Sequence, residues 1–418
     1  MQKEFLSKEI KENIWKVVFE YKAKREKTLA DLGLNPEKFR DGFRKMKEDA
    51  FRDMGNLRKQ AISNLEKNGV KVFETKNAAE AQKILKDLTA DEELIIKAKT
   101  SAADEIGVDE VLKDKLVSTD LGDFIMSISG ARDMHPVFPS YHLTPKQISE
   151  IIKQKFGEEV APDAQSIAAF ARKYLREKII LATAGITGAN VITADGRIVL
   201  LENEGNISLI SRLPEKHIII SGWEKIVPTM EDAMKVVRAA SVWGTGQDWP
   251  VYVSIISGPS KTADIQNELV IGAQGAKEVY LILLDNGREK ILKDGFEELL
   301  YCINCGACLN FCPAYHELGT KYGDKYLGSK GIILSAFMIE LLRAKESGCY
   351  SCTLCSACQE NCPAKIDLPG MMKKIRGKLN AENLGTEENK KMIGNTREFG
   401  NPFGEISEDG TPKELYCC

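Results

Sequence analysis

The feature that most constrains this chain is a stretch of cysteines towards its C-terminal end. Nine of eleven cysteines fall between Cys302 and Cys362, the other two are Cys417 and Cys418, and the first 301 residues contain none. The stretch reads YCINCGACLNFCP and then, 35 residues further on, CYSCTLCSACQENCP. Each run contains C-x2-C-x2-C-x3-C-P: Cys302, Cys305, Cys308 and Cys312 before Pro313, then Cys352, Cys355, Cys358 and Cys362 before Pro363. Three thiolates at this spacing on a tight turn can wrap three corners of a cubane. The fourth opens a helix and reaches the other cluster. The spacing predicts two [4Fe–4S] clusters, one on Cys302, Cys305, Cys308 and Cys362, the other on Cys352, Cys355, Cys358 and Cys312. Gly306, Ala307, Ser356 and Ala357 leave room for backbone N–H groups to approach the sulfurs. Zinc at paired C-x2-C sites is the weaker reading. A disulfide framework is weaker still, since nothing looks secreted and nine cysteines leave an odd one. That odd one, Cys349, is either a free buried thiol, the favoured reading, or a substitute ligand. Residues 331–345, GIILSAFMIELLRAK, are apolar at helical period, which predicts a helical ferredoxin module.

A chain of 418 residues should hold two or more domains. Its 58 basic and 61 acidic residues are well mixed, with no basic stripe, which argues against a nucleic-acid partner. The opening MQKEFLSKEIKENIW has neither the apolar core of a signal peptide nor twin arginines, and no run approaches 18 apolar residues. With reduced thiols, these features predict a cytoplasmic protein without a membrane span.

Residues 1–65 read as a helical N-terminal arm, with a second helix over 36–68. This arm could pack on its own domain or on a partner. Residues 66–295 read as an α/β domain. Strand candidates are 70–75, 93–98, 115–120, 178–183, 190–195, 197–203, 217–222, 251–257 and 279–285. Helices are expected over 78–87, 145–156, 164–178, 230–240 and 285–292. Continuous apolar strands between helices predict a mostly parallel sheet covered on both faces, with 190–195 and 197–203 as an inserted hairpin turning at Asp195-Gly196. Glycine-rich loops, including AGITGAN (184–190) and ENEGN (202–206), follow several strands. They are tight turns needing glycine, the favoured reading, or a ligand cradle shaped by Gly185, Gly188 and Asn190 with Glu202, Asn203, Glu204 and Asn206 as polar groups. No dinucleotide fingerprint or P-loop occurs, and the four histidines show no metal spacing. Residues 296–380 hold the ferredoxin module. Residues 381–418 read as an extended polar tail. Its Cys417-Cys418 pair could complete a ligand set with another chain or be an unligated end.

AKTSAADEIGVDEVL (98–112), TDLGDFIMSISG (119–130), GITGANVITADGRIVLLENEGN (185–206), LPEKHIIISGWEKIVPTMEDA (213–233) and LILLDNGR (281–288), followed by the first cysteine run, resemble the lactate-utilisation domain and the iron–sulfur subunit family called lactate utilisation protein B. The resemblance implies a fold similar to the sugar isomerase and CoA-transferase superfamily. It also implies a non-catalytic electron-transfer role in a cytoplasmic complex oxidising L-lactate to pyruvate, with a cysteine-rich redox subunit and a second lactate-utilisation-type subunit as partners. Two stretches depart from the family: KYGDKYLGSKG, and a tail whose GNPFGE and terminal cysteine pair resemble the linkers of heterodisulfide-reductase-like subunits. A related redox complex is therefore the alternative setting. An α/β domain with its own acyl or carboxylate chemistry and a purely scaffolding domain are the competing roles.

Overall fold

The computed structural model describes residues 5–413; Cys417 and Cys418 lie outside the described residues. The chain opens with three helices, Lys8–Asp31, Pro36–Arg52 and Met54–Lys67. The side chains of Ser7 and Asn35 cap the first two, accepting from the backbone N–H groups of Ile10 at 3.3 Å and Lys38 at 2.9 Å. The helix expected over 36–68 is split at Asp53, whose carboxylate accepts from the Asn56 side chain at 2.6 Å. The split lets Met54, Leu57, Ala61 and Leu65 continue the core begun by Phe43 and Ala50.

The main sheet has six strands, in spatial order Val70–Thr75, Glu278–Leu284, Lys216–Gly222, Ala184–Thr187, Ile95–Lys97 and Leu116–Ser118. Every pairing is parallel. The third of these strands is buried at all positions but its first, and the second likewise. That is the residue pattern of strands covered on both faces. The architecture is the mixed α/β one the apolar runs predict.

Three local expectations change. Residues 178–183 are not a strand. The helix Ala164–Leu181 runs through most of them, because Ile167, Ala171, Leu175 and Ile179 form one continuous buried stripe that outweighs β-branched propensity. The strand lies instead in Ala184–Thr187, read as loop, where Gly185 permits close packing: a Cβ there would sit 2.3 Å from the Ile210 carbonyl oxygen. The hairpin Val191–Thr193 and Arg197–Glu202 forms as read, but not in the main sheet. With Ile226–Val227 and Tyr252–Ile256 it makes a separate four-stranded sheet. The tail is not all extended. Glu387–Phe399 is a helix, capped by Thr386 and stopped at Gly400, with no buried residue. No helix among the described residues is long and apolar enough to cross a membrane.

The cysteine module packs on both the sheet and the arm. From the arm, Arg40 donates to the carbonyls of Cys362 at 2.9 Å and Gln359 at 2.8 Å, and Arg44 to that of Lys365 at 2.9 Å. At the sheet, the buried Arg288 donates two hydrogen bonds to Glu105, both 2.8 Å, and one to Glu224 at 2.5 Å. Tyr326, from the segment between the cysteine runs, donates to the same Glu105 at 2.6 Å. Gly222 makes room for this network, since a Cβ would meet Glu224 Oε2 at 1.9 Å.

Removing one member of such a buried group strands the others' charge. Arg288→Ala is expected to destabilise the protein by about 3–5 kcal/mol, measured by denaturant unfolding. Burial would raise Glu224, but Arg288 outweighs it and holds the carboxyl at about 2. That is below an unfolded glutamate near 4.3. Its contribution is complete above that ordinary value and lost as pH falls through it towards 2. In Arg288→Ala the acid limb of the stability profile should flatten.

Candidate metal centre and adjoining cavity

The two cysteine runs fold into one repeated turn. In the first, Asn304 (φ +60°) and Gly306 (φ +78°) are left-handed; in the second, Leu354 (φ +59°) and Ser356 (φ +65°) occupy the same positions. Alternating backbone handedness turns successive N–H groups inward, a concavity suited to anions. The Asn304 N–H already donates to Cys302 Sγ at 3.3 Å. A short helix follows each turn, Ala307–Asn310 and Ala357–Glu360, and Pro313 sits in the first turn of the helix Pro313–Leu318. Left-handed Leu354 and Ser356 are conformations L-residues take only where the surroundings impose them.

The thiols divide by their electrostatic neighbours. Burial pushes Cys305 up to about 12, and among charges Cys362 acts on it first. Cys362 is raised to about 11 by burial and then by Cys302. Cys312 is raised to about 11 by burial, with Cys352 and Cys355 adding to the effect. Cys358 reaches about 12 by burial and then through Cys312 and Cys352. The fourth cysteine of each run thus acts on thiols of the other, and Cys308 feels both Cys362 and Cys358. Cys349 is fully buried, its Sγ 3.5 Å from Met372 Sδ, and burial raises it to about 11.

Cys302 differs. Burial opposes its ionisation, yet Lys330 and Lys225 hold it below the ordinary thiol value. Lys225 Nζ donates to the Cys302 carbonyl at 3.1 Å and Lys330 Nζ to Asn304 Oδ1 at 3.2 Å. Lys47, 1% exposed, lies behind them, and burial followed by repulsion from Lys225 lowers it to about 8. Three lysines thus gather on one thiol, and their nearest polar contacts are carbonyl oxygens. A four-thiolate iron–sulfur cluster is a net anion, so this donor set and these cations fit it.

A cavity of about 880 Å³ adjoins the first turn. One wall carries Cys302, Cys305, Cys308 and Cys362; the other is built from the strand ends of the main sheet. Lys97, the last residue of Ile95–Lys97, lies 2.9 Å from Asp109 and 3.5 Å from Asp104. Lys99 lies 2.5 Å from Asp123 and also contacts Asp133. The four carboxylates drive both lysines up against the effect of burial. Burial raises Asp104 and Asp123, and lifts Asp120, at the start of the helix Leu121–Ser129, to about 7 with help from Asp123 and Glu204.

None of the seven loop candidates read from the sequence lines this cavity. Glu202 accepts from the backbone and hydroxyl of Ser208, and Asn190 from the Leu201 N–H at 2.9 Å. Asn203 accepts from the Val251 N–H at 3.0 Å. Glu204 accepts from the Leu121 N–H at 3.1 Å, and Asn206 donates to Thr119 at 3.2 Å, both flanking Asp120. Gly185 packs against Ile210, and Gly188 against Thr100, whose Oγ1 would lie 2.3 Å from a Cβ there. The cavity's charged residues went unread as a site. Lys99, Asp104, Asp109 and Asp123 do sit in the AKTSAADEIGVDEVL and TDLGDFIMSISG strings, immediately after strands.

The fold and the two cysteine turns together define an iron–sulfur protein built on an α/β domain. The LUD domain family matches residues 58–284, and the 4Fe-4S dicluster domain family matches residues 298–366. Lactate utilization protein B of Macrococcus caseolyticus is 34% identical over 356 residues, spanning 83% of this chain and 72% of its own. Those of Bacillus cytotoxicus and Bacillus thuringiensis are 33% identical over 359 residues, spanning 84% and 74%. A DUF162 family protein from Deinococcus radiodurans overlays with a TM-score of 0.30 at 12% identity, over 55% of this chain and 98% of its own, too weak a likeness to bear on the fold. The chain belongs to the lactate utilization protein B family and carries a 4Fe–4S ferredoxin domain, which connects it with lactate utilisation and electron transfer.

At Gly306 the turn cannot accept a side chain. A Cβ there would lie 2.3 Å from His135 Cε1. His135 cannot give way: it is fully buried, burial lowers it to about 3, and its Nδ1 accepts from the N–H groups of Val137 and Phe138. Its Nε2–H therefore donates to the Gly306 carbonyl at 3.2 Å. Gly306→Ala is expected to lose about half of the bound iron. Ser356→Ala, at the equivalent position of the other turn, should retain all of it. Anaerobic iron and sulfide analysis of both variants checks this.

Proposed function

We propose that the protein is the electron-transfer subunit of a cytoplasmic complex that oxidises L-lactate, or a related 2-hydroxy acid, to pyruvate. In this reading it holds two [4Fe–4S] clusters, the first on Cys302, Cys305, Cys308 and Cys362, the second on Cys352, Cys355, Cys358 and Cys312. When bound, the clusters supply single-electron relay. The observation that carries the reading is the repeated cysteine turn, left-handed at Asn304 and Gly306 and again at Leu354 and Ser356. The named relatives supply the lactate context.

The residues around each turn then have distinct tasks. Lys225, Lys330 and the inward N–H groups would hold negative charge at the first site. At the second, Arg376 fixes the turn by donating to the carbonyls of Cys349 and Cys352, both within 2.8 Å. Cys355 is exposed, and the helix Ala357–Glu360 buries no residue. That face is the one on which a cysteine-rich redox subunit or a second lactate-utilisation-type subunit could exchange electrons.

Cys305→Ser and Cys355→Ser should each lower iron from about eight to about four per chain, and low-temperature EPR of the reduced protein should lose the interaction between two centres. Unchanged iron in both variants would sink the reading.

A further inference from the structure

We propose that the cavity between the sheet's strand ends and the first cysteine turn binds a small organic acid bearing a hydroxyl or keto group. This chain, and not only its partners, would then hold the molecule whose electrons it carries. The inference rests on the electron-transfer reading above and adds a ligand site to it.

The cavity's size is ample. Its volume is about 880 Å³, and the wall facing the first cysteine turn is formed by the ends of parallel strands, where α/β sheets bind ligands. Its polar groups come in three kinds. The first is a cation in no close ion pair among the described residues: Arg132 donates to the Thr320 carbonyl at 3.3 Å, while Asp324, Asp104 and Asp133 act on it only from further off. Its planar fork is matched to a carboxylate. The second kind is the pair of lysines, each clamped between two aspartates, so their ammonium groups are fixed in place. The third is the set of carboxyls held by those lysines. Asp104 and Asp123 keep oxygens that can accept from a ligand hydroxyl, although burial raises both against the pull of their lysines. Phe124, Ile128 and Ile303 supply apolar wall for a short carbon chain. Perturbed carboxyls, fixed cations and apolar wall in one concave site are the marks of a ligand pocket. The acid's carboxylate would meet Arg132, and its hydroxyl or carbonyl the Lys99–Asp123 pair.

The test is isothermal titration of the full-length, anaerobically reconstituted protein with L-lactate and with pyruvate, using acetate as the reference anion. One site per chain is expected for L-lactate or pyruvate, with acetate at least about tenfold weaker. Arg132→Ala and Asp123→Asn should each weaken binding by about tenfold or more at unchanged iron content. Arg132 lies at the rim and should leave the fold intact even if Asp123→Asn does not. A protein with full iron that takes up neither probe, or binds acetate as well, overturns the site and leaves the electron-transfer reading standing. Unchanged affinity in Arg132→Ala overturns it too. Binding that persists in a protein found to hold no clusters would keep the site while that reading fell.

Discussion

Thiols must be ionised to bind iron, and in this protein most of them sit where burial resists ionisation. That conflict governs the arrangement around them. Cys305, Cys308, Cys312, Cys358 and Cys362 are all raised, first by burial and then by one another's charge. Bound metal resolves most of this, since a coordinating thiol is deprotonated outright. The chain resolves the rest locally. Backbone N–H groups turn inward at Asn304 and Gly306, and Lys47, Lys225 and Lys330 gather at Cys302. Gly306 has no side chain because His135 occupies the space, and His135 is neutral because it is buried.

The same conflict explains why the cysteine module is not a detachable appendage. A buried charge requires an ordered environment, and here that environment is contributed by distant parts of the chain. Lys47 comes from the N-terminal arm, Lys225 from the short helical turn that follows a central strand, and Lys330 from the segment between the two runs. Arg288, Glu105, Glu224 and Tyr326 then fasten the strand ends to that segment through four charge-assisted hydrogen bonds. Replacing any one element would move a lysine relative to Cys302. The helical arm, which the sequence left free to pack on its own domain or on a partner, packs on its own chain for this reason.

What could be read in the sequence was what is decided locally. The x2-x2-x3 spacing specifies its own turn, and both turns recur with left-handed residues at the same two positions. Long apolar runs such as 217–222 and 279–285 became central strands because only a buried strand tolerates them. The misread segments are those where tertiary packing decides. Residues 178–181 could be strand or helix by propensity, and the buried stripe from Ile167 to Ile179 made them helix. The pair 191–193 and 197–202 was recognisable as a hairpin, but nothing within it could tell which sheet it would join. The cavity was the least legible feature. Lys97 pairs in register with Ser118, on the next strand of the chain, across an intervening helical segment. Only that pairing sets Lys97 and Lys99 near the helix that bears Asp123.

The contrast between the glycine-rich loops and the cavity also shows why polar residues after a strand do not by themselves mark a site. Glu202, Asn190 and Asn203 each accept from a backbone N–H, donated by Ser208, Leu201 and Val251 of the adjoining helix, strand and loop. Their hydrogen-bonding capacity is used in shaping the loop. In the cavity the charged groups satisfy each other across different elements, Lys99 joining a strand end to a helix that starts at Asp120 and to Asp133 beyond its end. Such pairs hold their charge at a fixed place facing open volume. In the proposed reading, the first cysteine turn faces that volume and the second faces solvent at Cys355. The module then has an inner end and an outer end, and the asymmetry of burial between its two otherwise equivalent turns is what distinguishes them.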